Sequence, residues 1–191
     1  MRTTTFIISC MLLLALYSCQ QSVENESEES DLTELDSDEV SMLFAVTDAG
    51  DLELGARVSY VDSDGNTVIP FDKYAYFGTD TLMYYANVID NTSGKPVAIN
   101  RDGEKLFDLV LIDNGPDPFN EGLTRVSIDG KIGYANVYGE VVIPCIYAAA
   151  KWFENGVAEV ALEATERKVG EHTIVESDQW FKIDKLGQRI D

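Results

Sequence analysis

The stretch Gly130–Pro144 reads Gly-Lys-Ile-Gly-Tyr-Ala-Asn-Val-Tyr-Gly-Glu-Val-Val-Ile-Pro. Within it, Asn136 lies three residues before Gly139. An Asn side chain accepts hydrogen bonds from backbone amides two residues further on, and glycine adopts the positive φ that a tight turn needs. Strand-prone residues flank the pair on both sides. The stretch therefore predicts a β-hairpin with its turn at residues 136–139.

Three further segments repeat this spacing of Asp or Asn three residues before glycine. The predicted turn residues of the four copies are Asp62 and Gly65, Asn100 and Gly103, Asn136 and Gly139, and Asp184 and Gly187. The successive glycines are 38, 36 and 48 residues apart, which is typical of repeat architectures. An apolar, strand-prone pair follows each glycine. Three of these pairs meet Pro70, Asp108 or Pro144, where we expect the strand to end.

These segments resemble the WG-containing (KWG-type) repeat, whose units contain a Trp-Gly pair, an Asp and a Val-Ile-Pro ending. The best match is Gly130–Pro144, in which Ile132 stands where tryptophan is usual. The resemblance covers residues 57–191. It implies an all-β fold, an antiparallel meander of β-hairpin repeats that forms a single domain over residues 41–191. It implies almost nothing about activity.

Local patterns predict the remaining elements of the domain. Residues 42–46 are expected to form a first strand, and two more are expected near 82–89 and 95–99. Residues 113–118 have the composition of a loop. Ala148-Ala149-Ala150 is compatible with a single helical turn. Residues 157–164 and 173–183 alternate around a polar stretch at 165–171, which predicts an elongated hairpin that carries His172.

The N-terminal segment Met1–Ser18 has the pattern of a targeting sequence. Arg2 is followed by an apolar run that is too short to span a membrane comfortably. Leu16-Tyr17-Ser18-Cys19 then resembles a bacterial lipobox. The resemblance implies cleavage before Cys19, lipidation of its sulfur and acylation of the new N-terminus. An ordinary secretory signal peptide with an incidental cysteine is the alternative.

Residues 19–40 are predicted to be a disordered acidic linker. The segment is rich in Asp, Glu and Ser and has no aromatic residue, so it buries too little apolar area to offset the entropy of ordering. Acidic residues soon after a lipidated cysteine resemble the surface-export signal of Bacteroidota lipoproteins. A solvated spacer is the other interpretation.

The composition limits the chemistry that the chain can support. A formal net charge of −20 opposes binding to nucleic acid or to anionic lipid surfaces. Cys145 is the only free cysteine expected in the mature chain, since lipid occupies Cys19, and its pairing with His172 as a reactive thiol has no supporting motif. No catalytic residue, cofactor or metal site is predicted. The residues 62–65 and 113–117 resemble fragments of calcium loops, but turn chemistry explains both.

Two sets of residues remain candidates for modification or binding. Asp80-Thr81-Leu82 resembles a short O-glycosylation site of exported Bacteroidota proteins. Tyr84, Tyr85 and Trp152 are candidate binding aromatics, since adjacent strand residues such as Tyr84 and Tyr85 point to opposite faces and one of the rings should be exposed. For most of the aromatic residues, packing in the core is the simpler interpretation.

Three functions are compatible with these features. The first is a lipid-anchored, non-enzymatic binding or scaffolding module of the cell envelope, placed in the outer membrane and displayed on the surface, with a protein or glycan partner. The second is an accessory glycan-binding or hydrolase component of an envelope polysaccharide system. The third is a purely structural repeat protein.

Overall fold

The computed structural model describes residues 41–113, 115–170 and 172–191, so the predicted signal peptide, Cys19 and the acidic linker lie outside the described residues. In these ranges the secondary structure is entirely β, as predicted. The strands are β1 Leu43–Val46, β2 Arg57–Val61, β3 Thr67–Tyr76, β4 Thr81–Leu82, β5 Ala86–Asp90, β6 Pro96–Ile99, β7 Lys105–Leu109, β8 Leu111–Ile112, β9 Gly115–Pro116, β10 Leu123–Ile128, β11 Lys131–Asn136, β12 Val141–Tyr147, β13 Ala149–Ala150, β14 Val157–Ala161, β15 Thr165–Val169, β16 His172–Glu176 and β17 Phe181–Asp184. Within the described ranges no helix is long and apolar enough to span a membrane.

The strands form an antiparallel meander. In the main sheet the strands lie in the order β12-β11-β10-β7-β6-β5-β3-β2-β1-β4. Most strands of this sheet therefore lie beside the strand that comes before or after them along the chain. A three-stranded sheet β13-β14-β17 and two short ladders, β15-β16 and β8-β9, complete the described part. The strand pairs of the described part are antiparallel, which is the arrangement that short hairpin connections produce. The predicted meander of β-hairpin repeats is therefore confirmed.

The four repeated turns share one set of hydrogen bonds. In the third copy, the Asn136 Oδ1 accepts hydrogen bonds from the Tyr138 and Glu140 amides at 2.9 and 3.0 Å, and the Gly139 amide donates to the Asn136 carbonyl at 3.0 Å. The other copies repeat these contacts at Asp62, Asn100 and Asp184. Each turn glycine has a φ between 71° and 82°. The Asx side chain thus supplies an acceptor and the glycine supplies the backbone conformation.

The side chain one residue after each turn glycine is chemically matched to the Asx residue. Where the turn begins with Asp62, the partner is Asn66, whose amide donates to the Asp62 carboxylate at 3.0 Å. Where it begins with Asn136, the partner is Glu140, whose carboxylate accepts from the Asn136 amide at 2.7 Å. The second copy, with Asn100 and Glu104, follows the Asn pattern. No copy places two carboxylates at these positions, because they would repel each other at hydrogen-bonding distance.

Successive repeats stack through their turn glycines. A Cβ built on Gly103 would lie 3.2 Å from Ile69 of the preceding copy, and a Cβ built on Gly187 would lie 3.2 Å from Ile143 of the copy before it. At the middle junction Tyr85 takes this place, 2.9 Å from a Cβ built on Gly139. Absence of a side chain at the turn therefore allows each copy to approach its neighbour closely.

The second strands of the first three copies continue past the residues at which they were expected to end, so this prediction is wrong. Asp108 lies within β7. Pro70 lies within β3 and Pro144 within β12. Both lie where the register shifts: Tyr134 pairs with Ile143 and Ile132 with Tyr147, so β12 carries extra residues around Pro144. A bulge leaves some backbone amides outside the ladder, which is where a residue without an N–H is tolerated.

Three further predictions need correction. The strand expected over 82–89 is two strands, because Thr81–Leu82 pairs with β1 whereas Ala86–Asp90 pairs with β3 and β6. The helical turn expected at 148–150 is instead the strand Ala149–Ala150, paired with β14. The loop expected over 113–118 contains Gly115–Pro116, paired with β8.

The long hairpin after residue 157 is divided into two ladders. Val157–Ala161 pairs with Phe181–Asp184, and Thr165–Val169 pairs with His172–Glu176. The stretch 165–169, which the sequence marks only as polar, is therefore a strand. Its side chains at 165–168 are exposed, so no burial pattern marks it as a strand. The side chain of His172 lies outside the described part.

The core consists of three buried clusters that follow one another along the meander. The first belongs mainly to copies one and two and contains the buried Tyr60. The second belongs to the third copy and the last sheet and contains Tyr134, Phe153 and Ile183. The third, around Phe107 and Val126, lies among strands of the second and third copies. Neighbouring repeats thus share apolar contacts, as in other repeat proteins.

Candidate ligand-binding groove

An open groove lies beside the three-stranded sheet, where the chain passes from β13 to β14. Its volume is about 750 Å³. The side chains that carry its chemistry are one tryptophan, one asparagine, two lysines and two glutamates: Trp152, Asn120, Lys151, Lys182, Glu154 and Glu159. We call it the Trp152 groove. It combines one exposed aromatic ring with charged and amide groups.

The Trp152 ring is held in place by a buried carboxylate. Its indole Nε1 donates to the Asp117 Oδ1 at 2.8 Å, and the Arg125 guanidinium lies over the ring with its Cζ 5.2 Å from the centroid. Nevertheless, 46 % of Trp152 is exposed. A large aromatic side chain that is both fixed and exposed is suited to binding, because little conformational entropy is lost on contact.

The carboxylate of Asp117 is buried and accepts hydrogen bonds from Arg125 and Trp152. Its side chain is 1 % exposed and pairs with Arg125 through two parallel bonds, Nε to Oδ2 at 2.9 Å and Nη2 to Oδ1 at 2.8 Å. The Arg125 amide also donates to Oδ2 at 3.1 Å. Such two-pronged pairing fixes geometry as well as charge. Asp117 therefore positions Trp152 and Arg125.

The backbone beneath Trp152 is fixed by two further side chains. The Arg125 Nη1 donates to the Ala150 carbonyl at 2.9 Å, and the Tyr134 hydroxyl donates to the Lys151 carbonyl at 2.7 Å. Burial raises the pKa of Tyr134, so the hydroxyl keeps its proton and remains a donor. Tyr60 of the first copy makes the corresponding bond to the Thr79 carbonyl at 2.9 Å.

The charges that line the groove are balanced. Lys151 forms an ion pair with Glu159, and Lys182 lies opposite Glu159 in the β14–β17 register. The hydrogen bond from Lys151, and to a lesser degree the charge of Lys182, lower the pKa of Glu159. Glu159 is consequently held ionised. Lys151 also lies 5.0 Å from the centroid of the Trp180 ring.

The two other aromatic candidates lie away from this groove. Tyr84 is 42 % exposed and packs edge-to-face against the exposed Tyr138, with ring centroids 4.9 Å apart. Tyr85 is partly buried beneath Gly139, and burial raises its pKa. Both residues lie between β4 and β5 rather than within one strand, so alternation along a strand does not explain their different exposure.

The remaining residues singled out in the sequence have structural surroundings. Cys145 lies partly buried in the β12 bulge, and burial raises the pKa of its thiol. The Asp62 carboxylate is engaged within its own turn, and Asp117 is engaged with Arg125. Across the described ranges no three His, Cys, Asp or Glu side chains are grouped closely enough for a metal ion. Thr81 is exposed at the start of β4.

Sequence reasoning missed Asp117, Arg125 and the groove lysines as parts of one site. Asp117 stands between two prolines in a segment that reads as a loop, and its partner Arg125 is on a separate strand. The available signal is the arginine within the strand Leu123–Ile128, because a partly buried guanidinium requires an acidic partner. Nothing in the sequence indicates which of the 34 acidic residues that partner is.

Comparison with known proteins agrees with the repeat pattern. Residues 132–163 match the family model described as WG containing repeat. No curated protein and no solved structure shows a significant match to the chain. The matched segment runs from Ile132 in β11 through β12, β13 and β14 to residue 163 and includes Trp152. The third copy, the one with the clearest sequence pattern, is therefore the part of the chain that is similar to the WG containing repeat.

Proposed function

We propose that this protein is a lipid-anchored binding module of the bacterial cell envelope, without catalytic activity, and that its partner binds in the Trp152 groove. The observation that carries the proposal is Trp152 itself: a half-exposed indole that a buried carboxylate holds in one orientation. Aromatic side chains of this kind are enriched where proteins bind their partners. The WG repeat supplies a rigid scaffold for the groove.

The anchor is proposed from the N-terminal sequence. Cys19 follows an apolar segment in a lipobox-like context, and an acidic stretch separates it from the β domain. Several acyl chains on one cysteine hold a protein to a bilayer far more firmly than a single chain. Replacement of Cys19 by alanine should abolish palmitate labelling and release the protein from the outer-membrane fraction. Unchanged retention would rule out the lipid anchor.

A hydrolase is the second candidate function, and the lowered pKa of Glu159 argues against that residue as its catalytic acid. Glycoside hydrolysis by the common mechanism requires a carboxylic acid with a raised pKa that protonates the leaving group. Glu159 has its pKa lowered instead, by Lys151 and Lys182. Binding without catalysis fits this arrangement better, and the purely structural alternative leaves the fixed exposed ring unexplained.

The binding proposal is tested by retention of envelope components on the immobilised protein. Full-length protein would be incubated with membrane and polysaccharide fractions, in parallel with Trp152→Ala and Tyr84→Ala variants. We expect a saturable partner that Trp152→Ala loses and Tyr84→Ala keeps, because both variants remove an exposed ring but only one ring lines the groove. Equal retention by all three proteins would exclude the groove as the binding site.

A further inference from the structure

We propose that the ligand of the Trp152 groove is an uncharged glycan chain, one of whose sugar rings stacks on the Trp152 indole. The inference rests on the proposed function and specifies its ligand class. It is carried by three properties of the groove: one fixed aromatic platform, polar groups of both hydrogen-bonding types around it, and a balance of charge within it.

The platform is only partly covered by the protein. Arg125 lies over the Trp152 ring, yet 46 % of the residue is exposed and it lines the groove. A pyranose ring presents a patch of C–H groups on one face, and such an apolar face packs flat against an indole. Because Asp117 fixes the indole nitrogen, the platform exists before the ligand arrives.

The surrounding side chains match sugar hydroxyls. Each hydroxyl both donates and accepts, so a glycan site needs both kinds of partner. Lys151 and Lys182 provide donors, Glu154 and Glu159 provide acceptors, and the Asn120 amide provides both. A volume of about 750 Å³ lies within the range of small-ligand sites, and an open groove admits a chain that continues beyond it.

Charge selects against acidic glycans. The groove side chains comprise two cationic and two anionic groups, whereas the whole protein carries a formal charge of −20. A polyanion would meet no net attraction in the groove and repulsion from the rest of the surface. A neutral chain escapes this repulsion.

A protein ligand fits the groove less well. Stable protein interfaces bury a patch of several apolar side chains at their centre. Of the apolar residues that line this groove, Phe153 is buried and Val157 is partly buried, which leaves Trp152 as the exposed large one. A single ring within a polar rim suits a sugar better than a protein surface.

The test is isothermal titration of the full-length protein in detergent with two sets of hexasaccharides. The neutral set comprises β-glucan, mannan and galactan oligosaccharides, and the acidic set comprises oligogalacturonate and alginate. We expect at least one neutral series to bind saturably, with an affinity that changes less than twofold between 50 and 500 mM NaCl. Trp152→Ala should weaken it at least tenfold, and Tyr84→Ala should leave it unchanged.

A second measurement avoids altering Trp152. In a Trp180→Phe variant Trp152 is the remaining tryptophan, and its emission should shift when the neutral glycan binds. Preference for the acidic set, a steep salt dependence or an unchanged emission would overturn the glycan inference. If neutral glycans fail to bind up to 1 mM but an envelope protein is retained in a Trp152-dependent way, the inference fails and the binding function survives. If nothing is retained, both fail.

Discussion

Gly133 lies directly against the backbone of Cys145 in the neighbouring strand. A Cβ built on Gly133 would come within 2.7 Å of the Cys145 nitrogen, 2.8 Å of its Sγ and 2.5 Å of the Ile143 carbonyl oxygen. These atoms belong to the bulge of β12, which presses its backbone onto β11. Gly133, which follows Ile132, therefore provides space for the bulge. In the first copy Ser59 occupies this position, and its hydroxyl donates to the Ile69 carbonyl at 2.8 Å.

Gly133→Ala should consequently destabilise the domain. The added methyl would meet backbone atoms, which move less easily than the end of a side chain, and overpacking of this kind costs about 1–3 kcal/mol. We expect a clear fall in the midpoint of denaturant unfolding. Gly115→Ala is the matched control, since its nearest neighbour, the Ile112 carbonyl oxygen, would lie 3.8 Å from the new Cβ. Equal midpoints for the two variants would contradict the account of the bulge.

The turn glycines allow backbone strain and packing to be separated. Gly65 and Gly139 have φ values of 82° and 80°, so alanine is strained to the same degree at both. A Cβ at Gly65 has no atom within 4 Å, whereas one at Gly139 would lie 2.9 Å from Tyr85. We expect Gly139→Ala to lower the free energy of unfolding by about 1–3 kcal/mol more than Gly65→Ala does. Thermal melts of both variants would measure the difference, and Gly139→Val should be more damaging still.

Should the two alanine variants melt together, Tyr85 would have to move aside at no cost. A Tyr85→Ala background decides this point, because removal of the ring should abolish the excess penalty at position 139. Persistence of that excess without the ring would mean that the stacking of copies through Tyr85 is wrong.

The matched pairs at the turns predict a compensating double substitution. Asn136→Asp would place a second carboxylate against Glu140, whose oxygen now accepts from the Asn136 amide. This variant should lose stability, by up to about 1 kcal/mol because the pair is exposed to solvent, since an attractive contact becomes a repulsive one. Adding Glu140→Gln should restore much of the loss, since it recreates the Asp and Gln combination of the last copy at Asp184 and Gln188. A double-mutant cycle measured by denaturant unfolding gives the coupling. If the effects of the two single substitutions on the free energy of unfolding simply add in the double variant, the proposed coupling between residues 136 and 140 is wrong.

Much of the fold is predictable because its signals are local. The Asx and glycine spacing fixes the turns at residues 62–65, 100–103, 136–139 and 184–187, and alternation fixes most of the strands. The failures have non-local causes. Pro70 and Pro144 end a strand by local rules but lie within bulges that the neighbouring strand determines. Residues 83–85 interrupt a continuous strand pattern because the segments on either side pair with different strands.

The groove was less predictable than the fold. Trp152 is recognisable as a candidate from its residue type alone, but its orientation depends on Asp117, which lies in a different segment of the chain. Tyr84 and Tyr85 were equally plausible by composition, and the stacking of one copy on the next buries part of Tyr85. Which side chains from distant segments lie close together depends on the register of the whole meander. Local sequence patterns do not give that register.

The thiol of Cys145 should react slowly with disulfide reagents in the folded protein. Burial raises its pKa, which reduces the fraction of reactive thiolate at neutral pH. The neutral thiol is thus favoured by folding, and this contribution to stability is present below the unfolded pKa and is lost as the pH rises through the folded pKa. In a variant with Cys10 and Cys19 replaced by serine, we expect reaction with a disulfide reagent at pH 8 to be at least tenfold slower in the native than in the denatured protein. Equal rates would indicate an exposed, activated cysteine.

The stability of the protein should depend far more on the buried Asp117–Arg125 ion pair beside Trp152 than on an exposed ion pair. Asp117→Ala would leave the Arg125 guanidinium, whose side chain is 16 % exposed, without its carboxylate, and such losses cost about 3–5 kcal/mol. Glu176→Ala is the control, because its pair with Arg167 is exposed on both sides and should contribute little. Asp117→Asn keeps an acceptor for the indole but removes the charge, so its loss should be intermediate. Unfolding curves and the emission of Trp152 would be compared. If Asp117→Ala and Glu176→Ala lose stability equally, Asp117 does not hold the groove together.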